Sequence, residues 1–222
     1  TYDVVIDTEQ WHYLSAWTAH LIKTSFRIGF DTRPLRKKFF NKPVEYILDE
    51  YELYNFRKLF EVIEPKSRQI TDIAGCYDVS SRDNAWAAEQ ITTPSVAFFI
   101  GASIPERRLT QTQMIYVIQY LHEQNLQPVL LGGKDVVDES KKLHENLGPG
   151  QFLDFVGKTS LEKSAALIKR CKFFIGPDSG ILHLACAVGT PAVAIFGPGN
   201  IKKWAPRGNK NAVVSLNVEC SP

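Results

Sequence analysis

In the run KFFIGPDSGILHLACAVGTPAVAIFG, residues 172–197, the polar residues Asp178, Ser179, Gly180 and His183 sit between two apolar stretches. Phe173 to Ile175 lead into Gly176-Pro177. Ile181, Leu184, Ala185 and Val188 then recur at helical spacing, and Gly189 and Pro191 stop the helix before the apolar run Ala192 to Phe196. The pattern reads as strand, tight turn, helix, strand. A helix that starts at such a turn offers unpaired amides, here from Ser179 and Gly180 onward, and the positive end of a dipole. The ligand that suits it best is an anionic group such as a diphosphate. Asp178 would repel that charge, so its expected work is to cap the helix or accept hydrogen bonds from sugar hydroxyls. His183, one turn in, is either a packed histidine or a phosphate donor.

Two further polar loops follow apolar strand-like runs, Gly101 to Arg108 and Gly132 to Asp135. Small residues let a backbone approach phosphate, and cations offset its charge, so Ser103, Arg107 and Arg108 are candidates for that work. Asp135, after a glycine pair, either accepts hydrogen bonds from ribose hydroxyls or is a plain helix N-cap. A third feature is basic: from Lys23 to Lys42 the chain holds Lys23, Arg27, Arg33, Arg36, Lys37, Lys38 and Lys42 against one acid, Asp31. Such a run is either a solvated loop or a site for an acidic or phosphorylated acceptor, in which Arg33, Arg36 and Lys37 would take part. There is no G-x-G-x-x-G or Walker A sequence, no G-x-S-x-G elbow around Ser179, and no His/Cys or Asp-x-Asp cluster for a metal.

The elements that must position these residues alternate. The first part reads as a strand over 2–7, a helix with Trp11, Leu14, Thr18, Leu21 and Ile22 on its inner face, a short strand at 27–30, a strand-like stretch from Val44 to Leu48, and a helix buried through Leu53, Phe56, Phe60 and Ile63. Polar clusters and Thr92-Thr93-Pro94 then suggest a domain boundary, giving domains 1–92 and 93–222. Beyond it strands are expected at 96–100, 129–131, 152–156, 173–175, 192–196 and 212–216. Capping boxes are expected at Thr110/Gln113 and Thr159/Glu162. Strands alternating with helices mean an α/β fold with parallel sheets.

Composition sets wide limits. With 222 residues, a net charge of +2, 44% apolar and 23% charged residues, the chain suits one large or two small soluble domains and favours no nucleic-acid partner. Cys76, Cys171, Cys186 and Cys220 lack CxxC spacing, which fits a reducing compartment. No apolar run is long enough to span a bilayer.

The run from Phe155-Val-Gly-Lys-Thr-Ser-Leu-Glu through Phe174-Ile-Gly-Pro-Asp-Ser-Gly-Ile-Leu-His to Phe196-Gly-Pro resembles the signature of the ADP-heptose:lipopolysaccharide heptosyltransferases, glycosyltransferase family nine. Tyr2 to Asp7, Arg27-Ile28-Gly29-Phe30 and Gly101-Ala102-Ser103 match landmarks of that family in order. The resemblance implies a GT-B architecture of two Rossmann-like domains, the first incomplete here, with the nucleotide-sugar donor held by the second. It also implies inverting transfer of a heptose from ADP-heptose to a lipopolysaccharide core acceptor or a related acidic glycan, with no cofactor and no metal. The expected location is cytoplasmic, with at most peripheral membrane association. By position, Asp178, Ser179, Gly180 and His183 would hold the donor's diphosphate and sugar, Ser103 and Arg107 would contact phosphate, and Asp135 the ribose. Arg107 stands where the family usually has lysine, which keeps the charge and changes the geometry. The family's base, an aspartate in a glycine-containing loop, would fall before residue 1, and the chain stops at Cys220-Ser221-Pro222 before the family's closing helices. The expectation is a fragment that binds donor without turnover. Alternative readings are a non-catalytic nucleotide-sugar-binding protein or another GT-B enzyme, such as a nucleotide-sugar epimerase.

Overall fold

Two parallel sheets organise the chain in a computed structural model that describes residues 2–65 and 71–216. The chain divides into two compact units, Thr1–Ile70 with Lys202–Trp204 and Thr71–Ile201 with Ala205–Pro222.

Unit 1 runs β1 (Val4–Asp7), α1 (Tyr13–Leu21), β2 (Phe26–Phe30), α2 (Pro34–Lys37), β3 (Lys42–Val44) and α3 (Glu52–Glu61). Its sheet has the order β1-β2-β3, with Val4 opposite Phe26 and Ile28 opposite Lys42. Ile28, Phe30, Val44 and Leu59 form a core beneath it. Helix α1 presents a face other than the one the periodicity favoured, and α3 does so in part, since Phe56 packs against the core as expected. α1 packs through Ala16 and Ala19 onto Phe40 and Val5, while Leu14, Trp17 and Leu21 face solvent. Small residues let a helix sit close on a sheet, so the alanines win the inner position even though leucines share the period. α3 buries Glu52, Asn55 and Leu59, leaving Phe60 and Ile63 exposed. Asn55 earns its place inside by hydrogen bonds to both backbone groups of Ile47, at 3.0 and 2.9 Å. These bonds hold the stretch expected as a strand through Leu48, which pairs only as far as Val44.

Unit 2 contains α4 (Ser81–Gln90), β4 (Ser95–Phe99), α5 (Gln111–Glu123), β5 (Gln127–Leu131), α6 (Val137–Leu147), β6 (Leu153–Asp154), α7 (Leu161–Arg170), β7 (Phe174–Pro177), α8 (Gly180–Ala187), β8 (Ala192–Phe196) and β9 (Ala212–Ser215); α9 (Ile201–Trp204) lies between β8 and β9 in sequence, and its residues Lys202–Trp204 group with unit 1. Residues 71–92, placed before the boundary on sequence grounds, group with this unit because α4 packs on α7. The sheet is six-stranded and parallel in the order β6-β5-β4-β7-β8-β9. Phe98, Ile100, Met114, Ile118, Leu130, Val136, Leu143, Phe152 and Val156 fill one side, each worth roughly 1.5–3 kcal/mol of burial. The Thr110/Gln113 capping box is present. The second cap is shifted by one: Ser160, not Thr159, accepts from the Lys163 amide, and Thr159 pairs instead with the Ser164 hydroxyl at 2.8 Å. Gly189, at φ 84°, turns the chain out of α8 in a conformation that costs other residues energy. The chain end read as Cys220-Ser221-Pro222 lies outside the described residues.

Candidate functional site

Because the strands of unit 2 are parallel, the loops after β4, β5, β7 and β8 leave the sheet at one edge. Strand order reverses there: from β4 the chain steps outward to β5 and β6, then returns to the other side of β4 with β7. Open α/β sheets bind ligands at the crevice such a reversal creates. The three polar loops singled out in the sequence meet around it.

After β4, Pro105–Arg107 forms a single 3-10 turn that projects two adjacent arginines. Arg107 reaches toward β7: its Nη1 stands 2.9 Å from Asp178 Oδ2 and 3.5 Å from the Asp178 carbonyl. Asp178 is only 5% exposed, so this is a largely desolvated ion pair. It is close without being well aligned. Asp178 Oδ2 and Arg107 Nε are buried and make no geometrically sound hydrogen bond among the described residues; the 2.9 Å contact is Coulombic rather than directional. Buried polar groups are normally hydrogen-bonded, so these two atoms retain capacity for a polar ligand.

The opposite wall is the start of α8. Ser179 is its N-cap with extended backbone, but the hydroxyl donates back to the Pro177 carbonyl at 3.1 Å and does not cap the helix. Helix geometry therefore leaves the amides of Gly180 and Ile181 without an intrahelical acceptor. Gly180 is exposed, with open space where a Cβ would stand. Ser179, not Asp178, holds the N-cap position, and Asp178 Oδ2 makes no hydrogen bond to the helix amides. His183 is partly buried; burial pushes its imidazole below the ordinary 6.5, against the opposing pull of the Asp178 charge, so the neutral ring is favoured.

Arg108 turns the other way. Its Nε and Nη2 donate to the Ala102 carbonyl at 3.0 and 2.8 Å, and Nη2 also meets Asp135 Oδ2 at 2.7 Å. Asp135 is exposed, at the turn before α6 rather than at its N-cap position, which Val136 occupies. The plain N-cap reading of Asp135 is thus set aside. Its carboxylate is steadied by Arg108 with one oxygen left to accept other donors. Ser103 is exposed on the same β4 loop.

Sequence reasoning missed the loop after β8. Gly197-Pro198-Gly199 lies against the pair: a Cβ on Gly199 would stand 2.7 Å from Asp178 Oδ2 and 3.2 Å from the Phe196 ring. Only the absence of a side chain there lets the loop close over the carboxylate. The clue available in the sequence was two glycines flanking a proline directly after a buried strand.

In unit 1 the basic run divides. Arg33 is exposed and stands over the Tyr13 ring, 5.7 Å from its centroid, and Lys37 is exposed with Asp31 at 3.6 Å. Arg36 is a correction: it is wholly buried, bonded to Asp7 at 2.7 Å and to the carbonyls of Glu9 and His12, so it fastens the loop after β1 and is closed to any acceptor. Among the described residues no group of three or more His, Cys, Asp or Glu side chains gathers as a metal site, and no helix is long and apolar enough to cross a membrane.

Solved structures share the fold of this chain, and curated proteins share part of its sequence. Lipopolysaccharide heptosyltransferase 2 of Escherichia coli K12 is 26% identical over 146 residues, 62% of this chain and 42% of that protein. The glycosyl transferase family 9 structure from Veillonella parvula superposes with a TM-score of 0.83 at 20% identity, covering 97% of this chain and 64% of that one. The structure of E. coli heptosyltransferase WaaC with ADP gives a TM-score of 0.73 at 20% identity, covering 97% and 67%. The fold is that of the GT-B glycosyltransferases. This chain spans less than half the length of the E. coli K12 relative. The model of glycosyltransferase family 9 (heptosyltransferase) matches residues 1–222, and the chain belongs to that family.

Proposed function

We propose that unit 2 binds a nucleoside-diphosphate sugar, ADP-heptose in first place, and serves an inverting, metal-independent glycosyltransferase that delivers the sugar to a lipopolysaccharide core or related glycan. The observation that carries this reading is the meeting, at the point of strand reversal, of an uncapped α8 start with an arginine whose Nε is buried and unaligned. A diphosphate has the charge and the acceptor oxygens to satisfy both. Family membership and the resemblance to an ADP-bound heptosyltransferase support the choice of nucleotide.

The reaction is a direct displacement at the anomeric carbon. An acceptor oxygen forms a bond to that carbon as the bond to the diphosphate oxygen breaks, a base takes the hydroxyl proton, and ADP leaves with the bonding pair. Charge therefore grows on the diphosphate, where the α8 dipole and Arg107 act. Asp178, beside them, accepts hydrogen bonds from sugar hydroxyls, and Asp135 from those of the ribose.

Calorimetric titration of the chain with ADP, UDP and GDP tests the donor half. The expected result is saturable ADP binding, tighter than UDP or GDP and weakened by Arg107→Met. Absence of heat with all three, or affinity indifferent to Arg107, refutes it.

A further inference from the structure

Asp135 is held more firmly than a carboxylate ahead of an ordinary helix needs to be. It lies in the single 3-10 turn Lys134–Val136, closed by the Val136 amide donating to the Gly133 carbonyl at 3.3 Å. Gly133 has φ −76° and ψ 179°, a conformation open to any residue, so backbone freedom does not call for glycine there. Space does. A Cβ on Gly133 would overlap Asp135 Oδ1, and the next atom it would meet is Cγ of the same side chain at 3.7 Å. The carboxylate folds back over a residue that leaves it room.

The other oxygen is fixed from a different direction. Arg108 Nη2 meets Asp135 Oδ2 at 2.7 Å, and the guanidinium that makes this contact is itself held, because Nε and Nη2 both donate to the Ala102 carbonyl at 3.0 and 2.8 Å. Glu139 Oε1, in the first turn of α6, stands 3.6 Å from Nη1. Every side-chain nitrogen of Arg108 therefore has a partner, and the planar fork cannot rotate without losing one. Of the two Asp135 oxygens only Oδ2 is hydrogen-bonded among the described residues. An untethered carboxylate can take both hydroxyls of a vicinal diol, one on each oxygen. Here Oδ2 is engaged by Arg108, which leaves Oδ1.

We infer that Arg108 is a positioning residue: with Gly133 it aims Asp135 Oδ1 at a single hydroxyl of the donor's ribose, so that the site reads one of the two hydroxyls rather than the pair. The assignment rests on the nucleotide reading above and names how its ribose is recognised. Arg108 acts through Asp135 and not on the diphosphate, which is the work of its neighbour Arg107.

The test is calorimetric titration of the chain with ADP, 2′-deoxy-ADP and 3′-deoxy-ADP, read as the affinity of each analogue relative to ADP. Loss of a cation near the diphosphate, or a general loss of stability, moves all three ligands together and leaves these ratios alone. Asp135 keeps 58% of its side chain exposed, which weakens a hydrogen bond to its charge. One analogue is therefore expected to bind about fivefold more weakly than ADP, and the other to match ADP within about twofold. Arg108→Lys keeps the cation and loses the fork, Gly133→Ala displaces Oδ1, and Asp135→Ala removes the acceptor. Each is expected to bring the weaker analogue to within about twofold of ADP, with circular dichroism confirming that the fold is retained. Equal affinity of the wild-type chain for all three nucleotides overturns the inference while the nucleotide reading stands. So does equal weakening of both analogues, or a discrimination that survives any of the three substitutions. No binding of ADP removes the nucleotide reading and the inference with it.

Discussion

Asp178→Asn separates the two things the aspartate does, because it should move stability and diphosphate affinity in opposite directions. The wild-type carboxylate is 5% exposed and faces Arg107 at 2.9 Å. Removing one partner of a fully buried pair costs about 3–5 kcal/mol. Here Arg107 keeps 22% of its side chain exposed, and asparagine preserves the shape, so the expected loss is about 1–2 kcal/mol in urea unfolding. Affinity should change the other way. A carboxylate ~6 Å from a phosphate charge at an effective dielectric of ~20 opposes it by about 3 kcal/mol, which solvent and salt reduce to about 1–1.5 kcal/mol. Neutralising it also frees Arg107 for the ligand, so ADP should bind about five- to tenfold more tightly. ADP-heptose should not share the gain, because its sugar hydroxyls lose a charged acceptor worth about 1.5–3 kcal/mol. Calorimetry with both ligands on one preparation gives the ratio directly. Weaker ADP binding in the variant, or equal tightening for both ligands, would refute the reasoning.

Gly199→Ala pushes a methyl group to within 2.7 Å of the same carboxylate; it should cost about 1–3 kcal/mol of stability and shift ADP affinity, whereas Gly180→Ala, which meets open space, should keep the fold intact. Arg36→Met leaves Asp7 buried without its cation and should destabilise unit 1 by about 3–5 kcal/mol, far beyond the effect of Lys37→Met, as differential hydrogen exchange in β1 and α1 would show. His183 is held below its ordinary 6.5 by burial. The unfolded chain therefore takes up that proton first as pH falls, so the histidine's contribution is intact above 6.5 and declines below it. His183→Gln should flatten that part of the stability profile, and an identical slope in both proteins would contradict the assignment.

The edge of the second sheet was legible because each strand-loop-helix unit declares its own direction. Apolar runs, glycines and caps fix where β4, β5 and β7 end, and parallel pairing then brings their loops together without further information. What each arginine does was not legible. Arg36 sits in a run of cations that reads as surface, yet its partner Asp7 lies 29 positions earlier, and charge density says nothing about such a distant pairing. Helix α1 misled for a related reason. Leucine, tryptophan and alanine all recur with the helical period, and which stripe faces inward is decided by how closely the helix must approach its sheet. At Thr159-Ser160 two neighbouring hydroxyls competed for one cap, and a single residue of register settled it for the second.

Neighbours in sequence, Arg107 and Arg108 are fastened to carboxylates on opposite sides of β4, one beyond β7 and the other beyond β5. Whatever shifts that short turn must pull on both anchors at once. Under the proposed donor reading, re-engineering which base or sugar is accepted would therefore call for paired changes on the two flanks.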